Sequence, residues 1–434
     1  MHLNETHLKT TSRKPDRFAT KTRLRPALFC LGMLFVCGNS RAQQSLQMAT
    51  LYQESAELRA TKTGNPDYYN LELGPLDLRF RAEMGVEFND NVNYTDVNRQ
   101  SDFILRPTVN VKALWPVTEQ NSLSFSLGVG YWYYLKSSNL DSFFVSPGSD
   151  LTFLLHVGDV AVNFHDRLSI VNDVATVSGV AGTGNYVVLA NTPGLAVDWD
   201  WHKIFFTAGY DHEMVTSLSS GLSQLDRDSD LFFLRSAHAV NPSSKLGLLL
   251  GGGLTDYATG VFANYAQFIA GPFYEAQITE YIKAKALVGL AYYSFSQSGA
   301  PVGAPAPSSY TGYSFDLSAT HHLNEWFEHS THFQHIYQAG YISDLIDLYH
   351  ADYQASFLLT HDLTLSARLL YEHGKTIGGV EETFDQYGPA IGLARVWAQK
   401  WTARLDYSFL KRKSNVPGLS YNQNRVVLDV QYSF

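Results

Sequence analysis

Six histidines, His321, His322, His329, His332, His335 and His350, fall within thirty residues. Residues two apart on a strand share a face, so His329 and His335 point one way with Thr331 and Phe333 between them. Imidazoles at such spacing bind a metal when a carboxylate or thiolate completes the set. Here no His-Glu-x-x-His occurs, and no recognisable ligand set accompanies them. They read as polar interior or interface histidines. Hydrolysis fares no better: Ser, His and Asp are plentiful, yet nothing selects one triad, and Gly-x-Ser-x-Gly is absent. The adjacent pairs His165-Asp166 and Asp211-His212 would face opposite sides of a strand. Gly251-Gly252-Gly253 lies inside the strand-like Leu246–Leu254, where glycine permits a bend rather than a phosphate loop. We expect no enzyme, cofactor or metal.

The elements that must carry these residues are strands. The chain stops on Arg425-Val-Val-Leu-Asp-Val-Gln-Tyr-Ser-Phe434. Val426, Leu428, Val430, Tyr432 and Phe434 share one face; Arg425, Asp429, Gln431 and Ser433 share the other, with Val427 the exception. One face suits lipid and the other a polar lumen. The same terminus resembles the assembly signal of bacterial outer-membrane barrels, which implies the barrel-assembly machinery and periplasmic chaperones as partners.

The other end agrees. Seven Lys/Arg lie between Lys9 and Arg25, followed by an apolar run from Ala27 to Cys37 and a Ser40-Arg41-Ala42 cleavage site. That order reads as a secretory signal over residues 1–42, cut after Ala42. A lipoprotein cut before Cys37 is the alternative, disfavoured by Val36. The apolar run is too short to span a bilayer, which takes about 20 residues. Both cysteines, Cys30 and Cys37, leave with it. So do eight of 32 Lys/Arg and two of 41 Asp/Glu, leaving 24 basic and 39 acidic residues, a formal charge of −15. That balance excludes nucleic acid as a partner. Residues 43–75 read as a periplasmic extension, with a short helix over Leu46–Arg59 and a linker over Thr61–Tyr69.

From residue 76 the chain alternates strand-like runs with two kinds of punctuation. Tight turns stand at Pro116–Asn121, Gly158-Asp159, Asp200–Lys203, Asn241–Ser244, Thr279-Glu280, Asn324-Glu325, His361-Asp362 and Gln399-Lys400. Longer connections cover 90–100, 136–148, 172–190, 217–228, 258–264, 297–310, 339–346, 375–384 and 412–420. Nine hairpins make an all-β, closed antiparallel transmembrane β-barrel of about 18 strands over residues 76–434. Its short turns would lie in the periplasm and its long loops outside. The runs at 192–199, 227–240 and 325–338 are the weakest.

Assigning strands by their apolar face puts Arg79, Arg81, Glu83, Arg106, Lys112, Asp211, Lys283, Lys285, Asp316, Arg368, Arg404, Asp406 and Asp429 on a lumen wall. Asp77, His156, Arg167, Asp198, Asp352 and Arg425 join them. On the lipid face each such charge would cost about 2–4 kcal/mol. Trp132 and Tyr134 face the lumen opposite Tyr131 and Tyr133, an arrangement that fits sugar stacking or an aromatic girdle. Solvated loop charge is expected at Asp226–Asp230 and Glu381-Glu382. Lys411-Arg412-Lys413 should open an external loop, solvated or against lipopolysaccharide.

Gly85-Val-Glu-Phe-Asn-Asp-Asn-Val92, followed by Ser101-Asp-Phe-Ile-Leu-Arg-Pro107, resembles the β-barrel porin 2 family of bacterial outer-membrane proteins. The resemblance extends over residues 76–434 and implies an outer-membrane channel. It carries no catalytic residues with it. Strand count and polar wall lead us to expect passive diffusion of small polar solutes, in contact with outer-membrane lipid and lipopolysaccharide. The alternative is a barrel serving exopolysaccharide export or cell-surface anchoring without general pore activity.

Overall fold

The computed structural model describes residues 71–296, 303, 305–398 and 400–434. The proposed signal segment and the helix read at Leu46–Arg59 lie outside them. The strands are β1 (Leu71–Leu73), β2 (Leu76–Asn89), β3 (Asp102–Pro116), β4 (Ser122–Tyr134), β5 (Ser142–Val157), β6 (Val160–Val171), β7 (Val188–Trp201), β8 (Ile204–Ser217) and β9 (Arg227–Asn241). They continue as β10 (Ser244–Tyr257), β11 (Tyr265–Gln277), β12 (Ile282–Phe295), β13 (Ser309–Asn324), β14 (Phe327–Ala339), β15 (Leu345–Thr360), β16 (Leu363–Ile377), β17 (Thr383–Trp397), β18 (Trp401–Ser414) and β19 (Tyr421–Ser433).

Each strand from β2 onward pairs antiparallel with its sequence neighbours, and β19 returns to β2. The result is a closed 18-stranded barrel. β1 only doubles back on the start of β2, with Leu71 opposite Leu78. At the closure Val426, Leu428, Val430 and Tyr432 lie opposite Phe88, Val86, Met84 and Ala82. Apolar meets apolar, because a one-residue slip would turn every side chain to the wrong face. The Phe434 amide extends the ladder to the Phe80 carbonyl oxygen at 3.2 Å.

Eight short turns gather at one end of the barrel and nine connections, most of them longer, at the other. The predicted loop at 136–148 is shorter than read, since β5 already begins at Ser142. Pro147-Gly148 mimics a loop in sequence but sits in an irregularity of the β5 ladder between Val145 and Ser149. At 412–420, too, β18 runs on to Ser414. The weak runs at 192–199 and 227–240 are strand throughout, and the run at 325–338 is strand from Phe327 onward.

The outer wall is an exposed apolar belt that includes Leu248, Leu290, Leu369, Ile391, Leu405 and Leu428. A water-soluble protein rarely exposes so continuous an apolar surface. Aromatics edge the belt at both levels. Trp115, Trp199, Trp201, Trp326, Trp397 and Trp401 are exposed beside the short turns, and Tyr131, Tyr292, Tyr313 and Tyr387 are exposed nearer the loops. Amphipathic rings at two levels match the two interfaces of a bilayer. No helix among the described residues is long and apolar enough to cross a membrane; the strands do the spanning.

Candidate functional site

The inner wall divides into two halves. Toward the turns it is charged, with some groups exposed and others, such as Arg79, Asp211 and Asp352, buried. Arg106 is paired with Glu87 at 3.0 Å and Asp429 at 3.2 Å, and Arg404 with Asp406 at 2.6 Å. Arg368 pairs with Asp352, and Asp316 with His332 at 3.0 Å. Arg79 and Lys112 stand opposite each other in the β2–β3 ladder, with Arg81 and Glu83 along the same face. Lys283 and Lys285 are exposed on β12. His165 Nε2 lies 2.7 Å from Asp211 Oδ1 and 3.0 Å from Arg167 Nη2, with Arg167 also 4.0 Å from Asp211. Sequence reading separated His165 and Asp211 because it saw only neighbours along each strand. The β6–β7–β8 ladder brings them together around Gly194.

Toward the loops the interior is filled. Residues 172–187, between β6 and β7, fold inward instead of outward. Val174, Val177, Val180, Ala181 and Tyr186 are all buried, in one cluster with Tyr94, Phe262, Tyr265, Tyr293, Tyr337, Leu345, Leu410 and Tyr421. The loop reaches the opposite wall: Ser178 Oγ donates to Glu372 of β16 at 2.7 Å, and Gln338 of β14 donates to the Ser178 carbonyl at 3.3 Å. In a ring of eighteen strands β16 stands about diametrically opposite β6 and β7. Gly179 and Gly182 take positive φ there, +88° and +75°. A Cβ at Gly179 would also collide with Ile346. A run of Val, Ala and Gly in a supposedly exterior loop was the available signal, and it was missed.

A chain of alternating charges joins the halves. Asp173, at the root of the loop, accepts from Arg425 Nη1 at 2.9 Å. Arg425 grips both oxygens of Glu87, at 2.9 and 3.1 Å. Glu87 in turn holds Arg106, which holds Asp429. Glu87 is fully buried, so it must be paired on both sides to remain charged. A second buried pair, Arg412–Glu382 at 2.8 Å, lies under the Phe384 ring with Ser414 Oγ donating to the same carboxylate. This overturns two expectations of solvated charge. Arg412 does not open an external loop, and Glu382 does not sit in water, because β18 continues far enough to bring Arg412 inside. Arg227 is likewise buried.

Trp132 and Tyr134 face inward but pack with Val92, Ile104, Leu140 and Phe144. Neither ring is left free to stack on a sugar. The histidines disperse: His321 and His329 meet at 3.1 Å, whereas His322 pairs with Glu328 and His350 with Glu372. Among the described residues no group of three or more His, Cys, Asp or Glu is placed to hold a metal.

No protein-family model matches the chain, so the porin-family resemblance rests on the residues quoted for it. No curated protein matches either. Among solved structures, the Pseudomonas aeruginosa outer-membrane protein OpdK is similar at a TM-score of 0.45 and 12% identity, over 82% of this chain and 99% of that one. P. aeruginosa OccK2 (OpdF), solved in complex with glucuronate, gives 0.48 and 11% over 83% and 98%. P. aeruginosa OprD gives 0.45 and 8% over 82% and 95%. The architecture of this chain stands on its own strand ladder rather than on these likenesses.

Proposed function

We propose that this chain is an outer-membrane diffusion channel for small polar solutes, exported by the residue 1–42 signal and assembled through its Val426–Phe434 terminus. The observation that carries the reading is the pairing of a closed 18-strand wall, apolar outside, with an inner face that is charged toward the turns. Eighteen strands enclose more space than their own side chains fill. In this placement the turns are periplasmic, the loops extracellular, and lipid and lipopolysaccharide surround the belt. Arg81, Glu83, Arg106, Lys112, Lys283, Lys285, Asp316, Arg368, Arg404, Asp406 and Asp429 are the solute-facing wall, with Arg79 and Asp211 buried within it. Their mixed signs favour polar solutes without strong ion selectivity. The 172–187 loop is the barrier a solute must pass.

The polysaccharide reading draws no support from Trp132 and Tyr134, whose rings are covered. Planar-bilayer recording of the refolded mature barrel is the test. Ohmic steps are expected, small because the loop restricts the bore. A barrel that is fully folded, by its heat-dependent gel shift, yet electrically silent even with residues 174–186 deleted would reject the channel.

A further inference from the structure

The β13–β14 ladder stops early. Its last pair toward the loops is Phe315 with His335, leaving Ser309–Ser314 of β13 and Ile336–Ala339 of β14 unpaired across that junction. Both strands stay paired with their other neighbours, Ser309 with Ser294 and Ala339 with Leu345. Side chains fill the wedge between them. Tyr337 Oη donates to the Tyr313 carbonyl oxygen at 3.2 Å, where a backbone N–H would otherwise stand. Gly312 admits it, since a Cβ there would collide with that hydroxyl. The Tyr337 ring passes through the wall to within 5.5 Å of Tyr293 and 5.4 Å of Tyr310, in the apolar interior cluster. His335 stacks on Tyr349 at 4.0 Å and lies 4.6 Å from Tyr313. Asp347 accepts from His335 Nε2 at 2.6 Å and from Tyr310 Oη at 3.1 Å. Outside, the Tyr313 and Tyr349 hydroxyls bond to each other.

Two side-chain atoms of this seam are unsatisfied, Ser314 Oγ and His335 Nδ1. His335 is only 1% exposed, yet its Nδ1 has no hydrogen-bond partner. With the Nε2 proton committed to Asp347, Nδ1 is a buried acceptor in need of a donor. Around the His335 ring stand the rings of Tyr313, Tyr337, Tyr349 and Phe315, with the Asp347 carboxylate on its other nitrogen. Aromatic faces with a carboxylate recognise an ammonium group, and an ammonium N–H would satisfy Nδ1. On the outer side Tyr313 is exposed, and its hydroxyl bond to Tyr349 is what stands between the seam and the belt surface.

We propose that the β13–β14 seam is a lateral binding site for an amphipathic primary amine, entered from the outer leaflet with the alkyl tail left in lipid. The site rests on the membrane placement above and is independent of conduction. The mature chain in lipid nanodiscs is dialysed to equilibrium against radiolabelled decylamine, with empty nanodiscs as the blank. One saturable site per barrel is expected. It should be lost when Ser314→Cys and Ile336→Cys are joined by a short bismaleimide, and weakened in Asp347→Asn. Decyltrimethylammonium, which has no N–H, should fail to compete. Tyr337→Phe, which frees the Tyr313 carbonyl, should tighten binding and serves if the double variant does not fold. Uptake equal to empty nanodiscs, saturable binding that survives the closed seam, or unchanged affinity in Tyr337→Phe would each overturn the site. Conductance of the same preparation reports separately on the channel.

Discussion

The two halves of the barrel interior are built from the same face of the same strands, yet they hold different matter. On β19, Asp429 and Gln431 are partly exposed on the turn-side half, whereas Tyr421 and Gln423, on the same strand, are buried in the filled half. The turn-side half includes exposed pairs such as His322–Glu328, each worth about 0–1 kcal/mol, beside buried charges such as Arg79 and Asp211. The loop-side half removes charges from water, so Glu87, Glu382 and Arg412 persist only as tightly paired groups. A polar inward face therefore does not by itself mean an open lumen. What enters the barrel from the loops decides that.

The strongest way to break this contrast is to empty the upper half. Deleting residues 174–186 should raise single-channel conductance severalfold in planar bilayers; an unchanged step size would mean the loop is not the barrier. Stability should next separate the two halves. Glu382→Gln leaves Arg412 buried without its counter-charge and should cost about 3–5 kcal/mol in urea unfolding from detergent. Glu328→Gln, whose partner His322 is exposed beside the turns, should cost about 1 kcal/mol or less. Comparable losses at both sites would erase the distinction.

The two faces of one strand give a smaller effect. Leu428→Arg, in the lipid-facing belt, should cost about 2–4 kcal/mol by the same measurement. Gln431→Arg, on the inner face, should cost little. The smallest effect concerns the connection 340–344. Burial raises the Asp344 carboxyl above its ordinary value, against a partly opposing hydrogen bond from the Ala263 amide. A raised carboxyl stabilises the packed connection fully below the ordinary aspartate value of about 3.9, and that stabilisation is lost as pH rises through the raised value. Hydrogen exchange at residues 258–264 should therefore slow on acidification, and Asp344→Asn should remove the dependence.

Strand pattern, turn positions and closure were legible because period-two alternation repeats in every hairpin and a short turn has its own chemistry. Leu428 and Asp429 could be sent to opposite faces with no knowledge of any other strand. Arg412 could not be placed, since its surroundings come from Glu382 thirty residues away and from a strand end that sequence reading put at Leu410. His165 and Asp211 were each legible as inward-facing, but their meeting depends on the β7 backbone passing between them at Gly194.

What the sequence by itself determined is the wall: strand number, the two faces of each strand and the apolar belt, all set by local alternation against two solvents. Only the tertiary structure decided what the wall encloses. Residues 172–187 are apolar without being periodic, and their inward course follows from partners at Arg425, Glu372 and Gln338, reached across the ring. Such contacts depend on closure, and no local pattern encodes them.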